Sequence, residues 1–407
     1  MRLGLLIVSV LVIVGCAPIP TLTSLSGEKE CEWGSATCNH CVIDVKAQLD
    51  GLENNYQSAG RIRFDGYAHP TSDAILHRIS KTTWFGQGSN EHIQSIGRIA
   101  GLANNEYMVF THSTASQQSN KEGALAVVRM GAGQNTGGGP FLGMPDGDGP
   151  NQTSSNRTVA RTFAGNNHPG GLSVLGHYVY VAQWCQPHPN GKHDWCPMSS
   201  AAVHGDGFSV YDVSNVNLNS SINSSPPIHR HYHHVYNEDW INGKNGKYGT
   251  ASIAAVKLSD GQYLIALGRS GGQEYGFYLA RRPTGSFHFQ NTSSIDLFWG
   301  ENASIVTECD TGDLYMFQLE EHGGSNSDMA HLYKLVLNDD GDIDLEFEKS
   351  RTFHCRGSDV DGAGDWCKFD YGAGIYVTPE GKLILYATER HQSSHGNIRL
   401  VEFSEQR

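Results

Sequence analysis

Short apolar strands separated by polar turns recur along the chain, and one arrangement of them returns five times. Each repeat has a small residue, an apolar strand, a turn and a second strand built around tyrosine or leucine. The strand pairs are predicted at Gly97–Leu102 with Tyr107–Phe110, Gly170–Gly176 with Tyr178–Val181, Ala251–Val256 with Tyr263–Ala266, Ala303–Val306 with Leu314–Phe317, and Ala373–Val377 with Leu383–Tyr386. Strand pairs that return at intervals of roughly 50 to 80 residues are typical of a radial β architecture.

A third strand and a more polar fourth strand extend the repeats to the four strands of a propeller blade. Third strands are predicted at Ala124–Val128, Gly207–Tyr211, Gly276–Leu279, His331–Val336 and Ile398–Phe403. Fourth strands are predicted at Thr158–Phe163, Ile228–Tyr236, Ile295–Trp299 and Leu345–His354. Gly at 48 of 407 residues fits many tight turns between short strands.

The fifth repeat lacks a fourth strand, and Ile75–Phe85 has the character to supply it beside Ile398–Phe403. Such a closure removes two exposed sheet edges. We therefore predict an all-β, five-bladed propeller over residues 75–407, with an N-terminal extension over residues 17–74. Six blades would need a blade from residues 42–74, where only Gly60–Phe64 has strand character; the best helix candidate is the short segment Cys41–Leu52.

The first sixteen residues predict export. One basic residue precedes about a dozen apolar residues, which is a secretory signal and is too short to span a bilayer. The segment Ile13-Val14-Gly15-Cys16 resembles the lipobox of bacterial lipoproteins, which implies lipidation of Cys16 and a membrane contact through the anchor alone. Ala17 after the cysteine favours the outer membrane in that family. The alternative is an ordinary signal peptide on a secreted protein.

The cysteines fit an oxidising compartment, since eight of the nine remain once Cys16 is set aside. Two pairs bracket short loops and are predicted to form disulfides: Cys185 with Cys196, and Cys355 with Cys367. The others are Cys31, Cys38, Cys41 and Cys309, so one bridge is expected to tie the N-terminal extension to Cys309, with the pairing left open.

Charge limits the class of partner. The net charge is −13 and Lys and Arg form no run, which disfavours nucleic acid. A polar small molecule, a glycan or a protein of the cell envelope remains as the expected partner.

Candidate functional residues cluster at one predicted mouth of the channel, where first strands begin and second strands end. A ring of acids, imidazoles, arginines and aromatics suits a polar, hydroxyl-rich or anionic ligand. The candidates for ligand binding are His112, Trp184, Tyr248, Arg269, Tyr371, Glu389, Arg390 and His391. Catalytic candidates are Glu301 and Asp370 as paired carboxylates, with His168 as base or metal ligand.

Two further segments have metal-ligand composition. Period-two alternation puts His229, His231 and His233 on one face of a predicted outer strand, as ligands for Zn, Cu or Ni or as a solvated edge. The second segment has a Ca²⁺-loop composition without EF-hand spacing, and ordinary turn chemistry is its alternative. Its carboxylates are Asp359, Asp361 and Asp365.

The chain broadly resembles five-bladed propellers, a fold shared by glycosidases acting on arabinose and fructose polymers, by nucleotidases and by sugar-binding lectins. The resemblance covers the architecture alone and transfers no catalytic residue. The leading expectation is a cell-envelope protein that recognises an extracellular polar ligand or scaffolds envelope partners. The alternative is a hydrolase acting on sugar or phosphate-bearing substrates, so enzymatic activity is left open.

Overall fold

The computed structural model describes the chain in segments separated by gaps. The described residues are 19–32, 34–54, 57–63, 93–102, 105–112, 124–130, 137–141, 156–163, 169–183, 207–214, 229–234, 250–269, 274–295, 300–321, 327–354, 367, 369, 372–388 and 397–405. They form an all-β structure of antiparallel strands with one short helix, α1 (Val45–Gly51). This helix lies inside the predicted Cys41–Leu52 segment, and its first turn is capped by Asp44, which accepts a hydrogen bond from the amide of Ala47 at 2.9 Å.

Three four-stranded antiparallel sheets each use consecutive strands. The strands are β6 (Pro169–Leu175), β7 (Tyr178–Gln183), β8 (Gly207–Asp212) and β9 (His229–His234); β10 (Thr250–Lys257), β11 (Tyr263–Arg269), β12 (Glu274–Ala280) and β13 (His288–Ser294); and β14 (Asn302–Thr307), β15 (Leu314–Glu321), β16 (Ser327–Leu337) and β17 (Ile343–His354).

The fourth sheet has eight strands and combines two further four-stranded antiparallel units. One unit is β2 (Ile93–Leu102), β3 (Asn105–His112), β4 (Ala124–Arg129) and β5 (Asn156–Phe163), and the other is β18 (Ala373–Val377), β19 (Leu383–Thr388), β20 (Asn397–Phe403) and β1 (Gln57–Arg63). A short parallel contact joins them, with Ile62 opposite Asn156 and Arg63 opposite Arg157.

The first strands of these units lie against one another in cyclic order. β2 contacts β6, β6 contacts β10, β10 contacts β14, β14 contacts β18, and β18 contacts β2. Apolar residues fill the spaces between neighbouring units; Val109 of β3, for example, lies in one cluster with Leu172 of β6 and Tyr211 of β8. The described strands are therefore arranged radially about a common axis, as in a β-propeller.

Two sequence-based strand assignments are corrected. The strand hydrogen-bonded to β20 is β1, with Ile62 opposite Ile398, while β19 occupies the other edge. Residues 75–85 therefore do not supply the neighbour of Ile398–Phe403, and that segment lies outside the described residues. The fourth strand of the β10 unit is β13 and not Ile295–Trp299. The side chains of β13 are mostly half-exposed, so its sequence lacks the apolar pattern that identifies a strand.

A buried charge cluster joins the first and last units. Arg98 of β2 pairs with Glu106 of β3 at 3.1 Å and donates to the hydroxyl of Tyr386 in β19 at 2.7 Å. Its guanidinium lies between the rings of Phe141 and Tyr376, 4.3 and 4.2 Å from their centroids. A buried arginine is tolerated because its charge is paired and its flat faces are covered by aromatic rings.

The N-terminal segment, residues 19–54, crosses the end of the sheets that carries the turns between first and second strands, which we call the hairpin end. Backbone or amide hydrogen bonds fix it to turns of four units. The pairs are Thr21 with Gln262 (3.1 Å), Gly27 with Gly312 (2.9 Å), Asn39 with Gly176 (2.9 Å) and Ile43 with Gly381 (3.2 Å).

Disulfides hold this segment in place. Cys31 pairs with Cys38, and Cys41 pairs with Cys309, which confirms the predicted bridge from the N-terminal extension to Cys309. Cys367 is also disulfide-bonded, and its partner lies outside the described residues. Cys185 and Cys196 lie outside them as well, so their pairing stays a prediction. Within the described residues, no helix has the length and apolar character needed to cross a membrane.

Candidate functional site

The end opposite the hairpin end is where first strands begin and second strands finish; we call it the loop end. Polar side chains are buried there although the strands around them are apolar. Those at most 5% exposed are Gln94 and Ser95 at the start of β2, Thr250 of β10 and Asn302 of β14, with Thr111, His112, Gln183, Gln318, Glu320 and Thr388 near the ends of second strands. Buried polar groups need hydrogen-bond partners, so this end is built from a bonded polar layer.

Hydrogen bonds in this layer run between neighbouring units. They are Ser95 Oγ to the carbonyl of Ala373 (3.3 Å), Thr111 Oγ1 to the carbonyl of Gly170 (3.3 Å), Thr250 Oγ1 to the carbonyl of Gln183 (2.8 Å), and Asn302 Nδ2 to the carbonyl of Phe369 (2.9 Å). Each joins a side chain of one unit to the main chain of another. The layer therefore fixes the positions from which the loops at this end depart.

At the level of this layer the first strands meet main chain to main chain. A Cβ at Gly170 would lie 2.3 Å from the carbonyl oxygen of Ala251, and a Cβ at Gly171 would lie 1.9 Å from that of Glu301. Because real Cβ atoms do not approach so closely, only glycine fits at either position. Gly171 belongs to the β6 unit and Glu301 precedes β14, so this contact crosses the ring of first strands. At this point the channel is so narrow that the main chains of the two units touch.

Glu301, one of the predicted catalytic carboxylates, is half-buried in the bend before β14. Its main chain touches Gly171, three residues after His168, and its neighbour Asn302 bonds Phe369, the residue before Asp370. His168 and Asp370 themselves lie outside the described residues. In the described chain, Gly171 is thus in contact with Glu301, and Phe369 is bonded to Asn302; the positions of His168 and Asp370 stay predictions.

Two predicted ligand-binding residues are described. His112 is 2% exposed at the end of β3, which buries it in the polar layer. Arg269 ends β11 and pairs with Glu274 at 3.6 Å, with both side chains partly exposed. The remaining candidates, Trp184, Tyr248, Tyr371, Glu389, Arg390 and His391, lie outside the described residues.

The histidine-rich strand is β9, as predicted, and its side chains differ in environment. His231 is exposed, whereas the ring of His233 stacks on Phe208 at 4.9 Å and meets Phe287 edge-on at 5.0 Å. Burial, with a smaller contribution from His231, lowers the pKa of His233 to about 4. The strand position of His229 is described but its side chain is not.

No group of three or more His, Cys, Asp or Glu side chains in the described part of the chain is arranged to hold a metal ion. Asp359, Asp361 and Asp365 lie outside that part, so the calcium loop stays a prediction.

Three side chains near the loop end form a chain of close polar contacts that the sequence did not predict. The carboxylate of Glu320 is 2.8 Å from Nε2 of His331, and Nδ1 of His331 is 2.7 Å from Oγ of Ser350. These residues come from β15, β16 and β17, where His331 lies directly opposite both Gln318 and Ser350. Only the strand register brings them together, so no motif in the sequence reveals them.

The hairpin end is closed by residues 34–41, which we call the plug segment. Asn39 and His40 of this segment line a cavity of about 30 Å³ with residues from the first strands, such as Ser173, Val256 and Ser304. A cavity of this size holds about one water molecule. Among the described residues, the plug segment therefore covers the channel at the hairpin end.

Comparison with known proteins identifies no family. No family model matches the chain, and no curated protein matches it. Among solved structures, it is similar to Bacillus subtilis levansucrase, with 8% identity, a TM-score of 0.42, and 89% of this chain and 90% of that one covered.

Two further solved structures are also similar at low identity. A β-fructofuranosidase from Schwanniomyces occidentalis gives 7% identity and a TM-score of 0.42, covering 88% of this chain and 60% of that one. An α-L-arabinofuranosidase from Clostridium thermocellum gives 12% identity and a TM-score of 0.32, covering 58% and 68%. TM-scores below 0.5 at these identities support no assignment of activity.

Proposed function

We propose that the protein is a five-bladed propeller that binds a polar extracellular ligand, of the glycan class, at the loop end. The five four-stranded units are the blades, and β1 closes the ring by completing the blade of β18, β19 and β20. The cyclic contacts of the first strands and the pairing of β1 with β20 support this architecture. Lipidation of Cys16 would tether the protein to the cell envelope, as the lipobox predicts.

The contact between Glu301, the segment after His168 and the segment before Asp370 is the observation that carries the ligand site. It supports one shared pocket over a floor of glycine main chain. Carboxylates, imidazole and amides around a closed floor bind hydroxyl groups through hydrogen bonds. The plug segment supports the same choice of end, because it covers the opposite mouth.

Binding to a panel of glycans tests this proposal, with wild type compared against Glu301→Gln. The substitution keeps the side-chain size and removes the charge, so we expect a loss of affinity of at least tenfold, or about 1.4 kcal/mol. Glu346→Gln is the matched control, because Glu346 is exposed on β17 away from the loop end.

Both variants are expected to retain the melting temperature of wild type, since half-buried and exposed carboxylates contribute little to the core. Equal loss of binding in the two variants, or wild-type affinity in Glu301→Gln, would contradict a site at the loop end.

Hydrolysis is the second candidate, and the same contact favours it. If Glu301 and Asp370 face one another across the pocket, one serves as general acid and the other as base or nucleophile. His168 then supplies a further proton-transfer group. Release of reducing sugar or phosphate by wild type but not by Glu301→Gln would favour this candidate over binding alone.

A further inference from the structure

The chain becomes fixed to the protein body within a few residues of Cys16. Pro20 is buried, the carbonyl of Thr21 accepts a hydrogen bond from Gln262 Nε2 at 3.1 Å, and Leu22 and Leu25 pack on the apolar core between the β10 and β14 units. These contacts lie at the hairpin end, because Gln262 belongs to the turn between β10 and β11. The lipobox cysteine is therefore close in sequence to a point anchored on that end.

The tether is short compared with the height of the sheets. Cys16 lies four positions before Pro20, and an extended chain spans at most about 3.6 Å per residue, or roughly 15 Å in all. A seven-residue strand such as β11 rises roughly 23 Å at about 3.3 Å per residue. The loop end thus lies farther from the attachment point than the tether reaches.

We propose that the hairpin end faces the lipid bilayer and that the loop end faces away from it. This rests on the proposed lipidation of Cys16 and on the ligand site of the proposed function. The orientation follows from the attachment point, because a lipid on Cys16 holds the hairpin end within the reach of the short tether.

Adsorption of the protein surface does not set this orientation. The hairpin end presents exposed carboxylates at Glu30, Glu32, Asp260, Asp310 and Glu380, which outnumber the exposed cations there, Lys29, Arg281 and Arg282. Anionic lipid headgroups repel carboxylates, so this surface gains little by lying on a membrane. The lipid anchor therefore supplies the attachment.

The orientation defines the source of the ligand. A site that opens away from the bilayer is accessible to an extended polymer or a soluble sugar. It faces away from the headgroups of the membrane that holds the anchor. The ligand class is thus a glycan of the surrounding medium or of an opposing surface.

Energy transfer to a labelled bilayer tests the orientation. The full-length protein, lipidated by its host, would carry a donor dye on an azide-bearing residue, introduced as Asp340→azidophenylalanine or Ser325→azidophenylalanine, which leaves the cysteines untouched. Asp340 is exposed in the β16–β17 turn at the hairpin end. In the sequence, residue 325 falls between the end of β15 and the start of β16, and both of these strand ends lie at the loop end. Phosphatidylcholine vesicles would carry an acceptor dye on a fraction of the headgroups.

We expect higher transfer efficiency from position 340 than from position 325, and loss of transfer from both in Cys16→Ser. Equal transfer from the two positions, or higher transfer from 325, would overturn the orientation. An N-terminal peptide whose mass shows no lipid would overturn it too, by removing its premise. Glycan binding of the same labelled proteins in detergent is measured separately, so a failure of the proposed ligand site is recognised on its own.

Discussion

Single residues at the loop end show how polar groups are accommodated in an apolar β structure. Thr250 and Asn302 begin first strands, yet both are at most 2% exposed and bond main-chain carbonyls of neighbouring segments. An unsatisfied buried polar group costs about 1–3 kcal/mol, so these bonds are needed for the strands to start where they do. The Asn302 bond also positions Phe369 next to the segment that carries Glu301.

Buried histidines make stability depend on pH. Burial lowers the pKa of His40, His177 and His233, the last to about 4. In the unfolded chain these groups titrate near 6.5. The unfolded state therefore binds more protons between these pH values, so the free energy of unfolding falls as pH decreases from about 7 towards 4.

We predict that His233→Phe removes part of this pH dependence. Phenylalanine keeps the ring that stacks on Phe208 and has no proton to gain. Burial lowers the pKa of His233 from 6.5 to about 4, so at 1.36 kcal/mol per pKa unit the lost contribution is at most roughly 3 to 4 kcal/mol. Urea unfolding of wild type and variant at several pH values measures it; parallel curves across the acidic range would show that His233 does not contribute.

The sequence identified candidate functional residues more readily than the side chains that surround each of them. The alternation in 229–234 predicted a strand, and β9 is that strand. The rings that contact His233 come from Phe208 of β8 and Phe287, which precedes β13. Such contacts depend on packing between neighbouring sheets, and local periodicity contains no information on them.

At the scale of elements, apolar strands were predictable because their alternation is strong and local. The first and second strands lie where the pattern predicted them, as with β19 at Leu383–Thr388. Outer strands are half-exposed, so their sequences resemble loops. β13 was missed for this reason, since its side chains from His288 to Ser294 are mostly partly exposed.

The strand beside β20 was misassigned for a different reason. Gly60–Phe64 was recognised as strand-like, but nothing local indicated that it pairs with a strand more than 300 residues later. Ile75–Phe85 lies just before the first repeat and also has strand character, so the sequence favours it instead. Long-range pairing is decided by the geometry of the whole sheet, which sequence periodicity alone does not describe.

We predict that Ile62→Pro destabilises the whole protein. Ile62 lies opposite Ile398 in β20 and Asn156 in β5, so it is at the junction of the first and last units. Proline removes the amide that a strand donates and restricts the backbone, at a cost of about 3 kcal/mol or more. Ile62→Val is the matched control, because it keeps the backbone.

Thermal unfolding compares the two variants. A cooperative transition at a clearly lower temperature is expected for Ile62→Pro alone. Wild-type stability of Ile62→Pro would show that β1 does not close the ring.

At the scale of the whole molecule, the N-terminal segment covers the hairpin end of the channel. It bonds turns of four units, and the Cys41–Cys309 disulfide links residues 268 positions apart. The even number of cysteines indicated such a bridge in advance. That the bridged segment lies across one mouth of the channel followed only from the structure, because cysteine spacing does not specify position.

The central claim is a single ligand site at the loop end. A crystal structure of the mature protein with the tightest-binding glycan of the panel tests it most directly. We predict ligand density at the loop end, within hydrogen-bond distance of Glu301, in a pocket that also contains His168 and Asp370. Density beside the plug segment, or on the outer strands with Glu301 unliganded, would contradict the account.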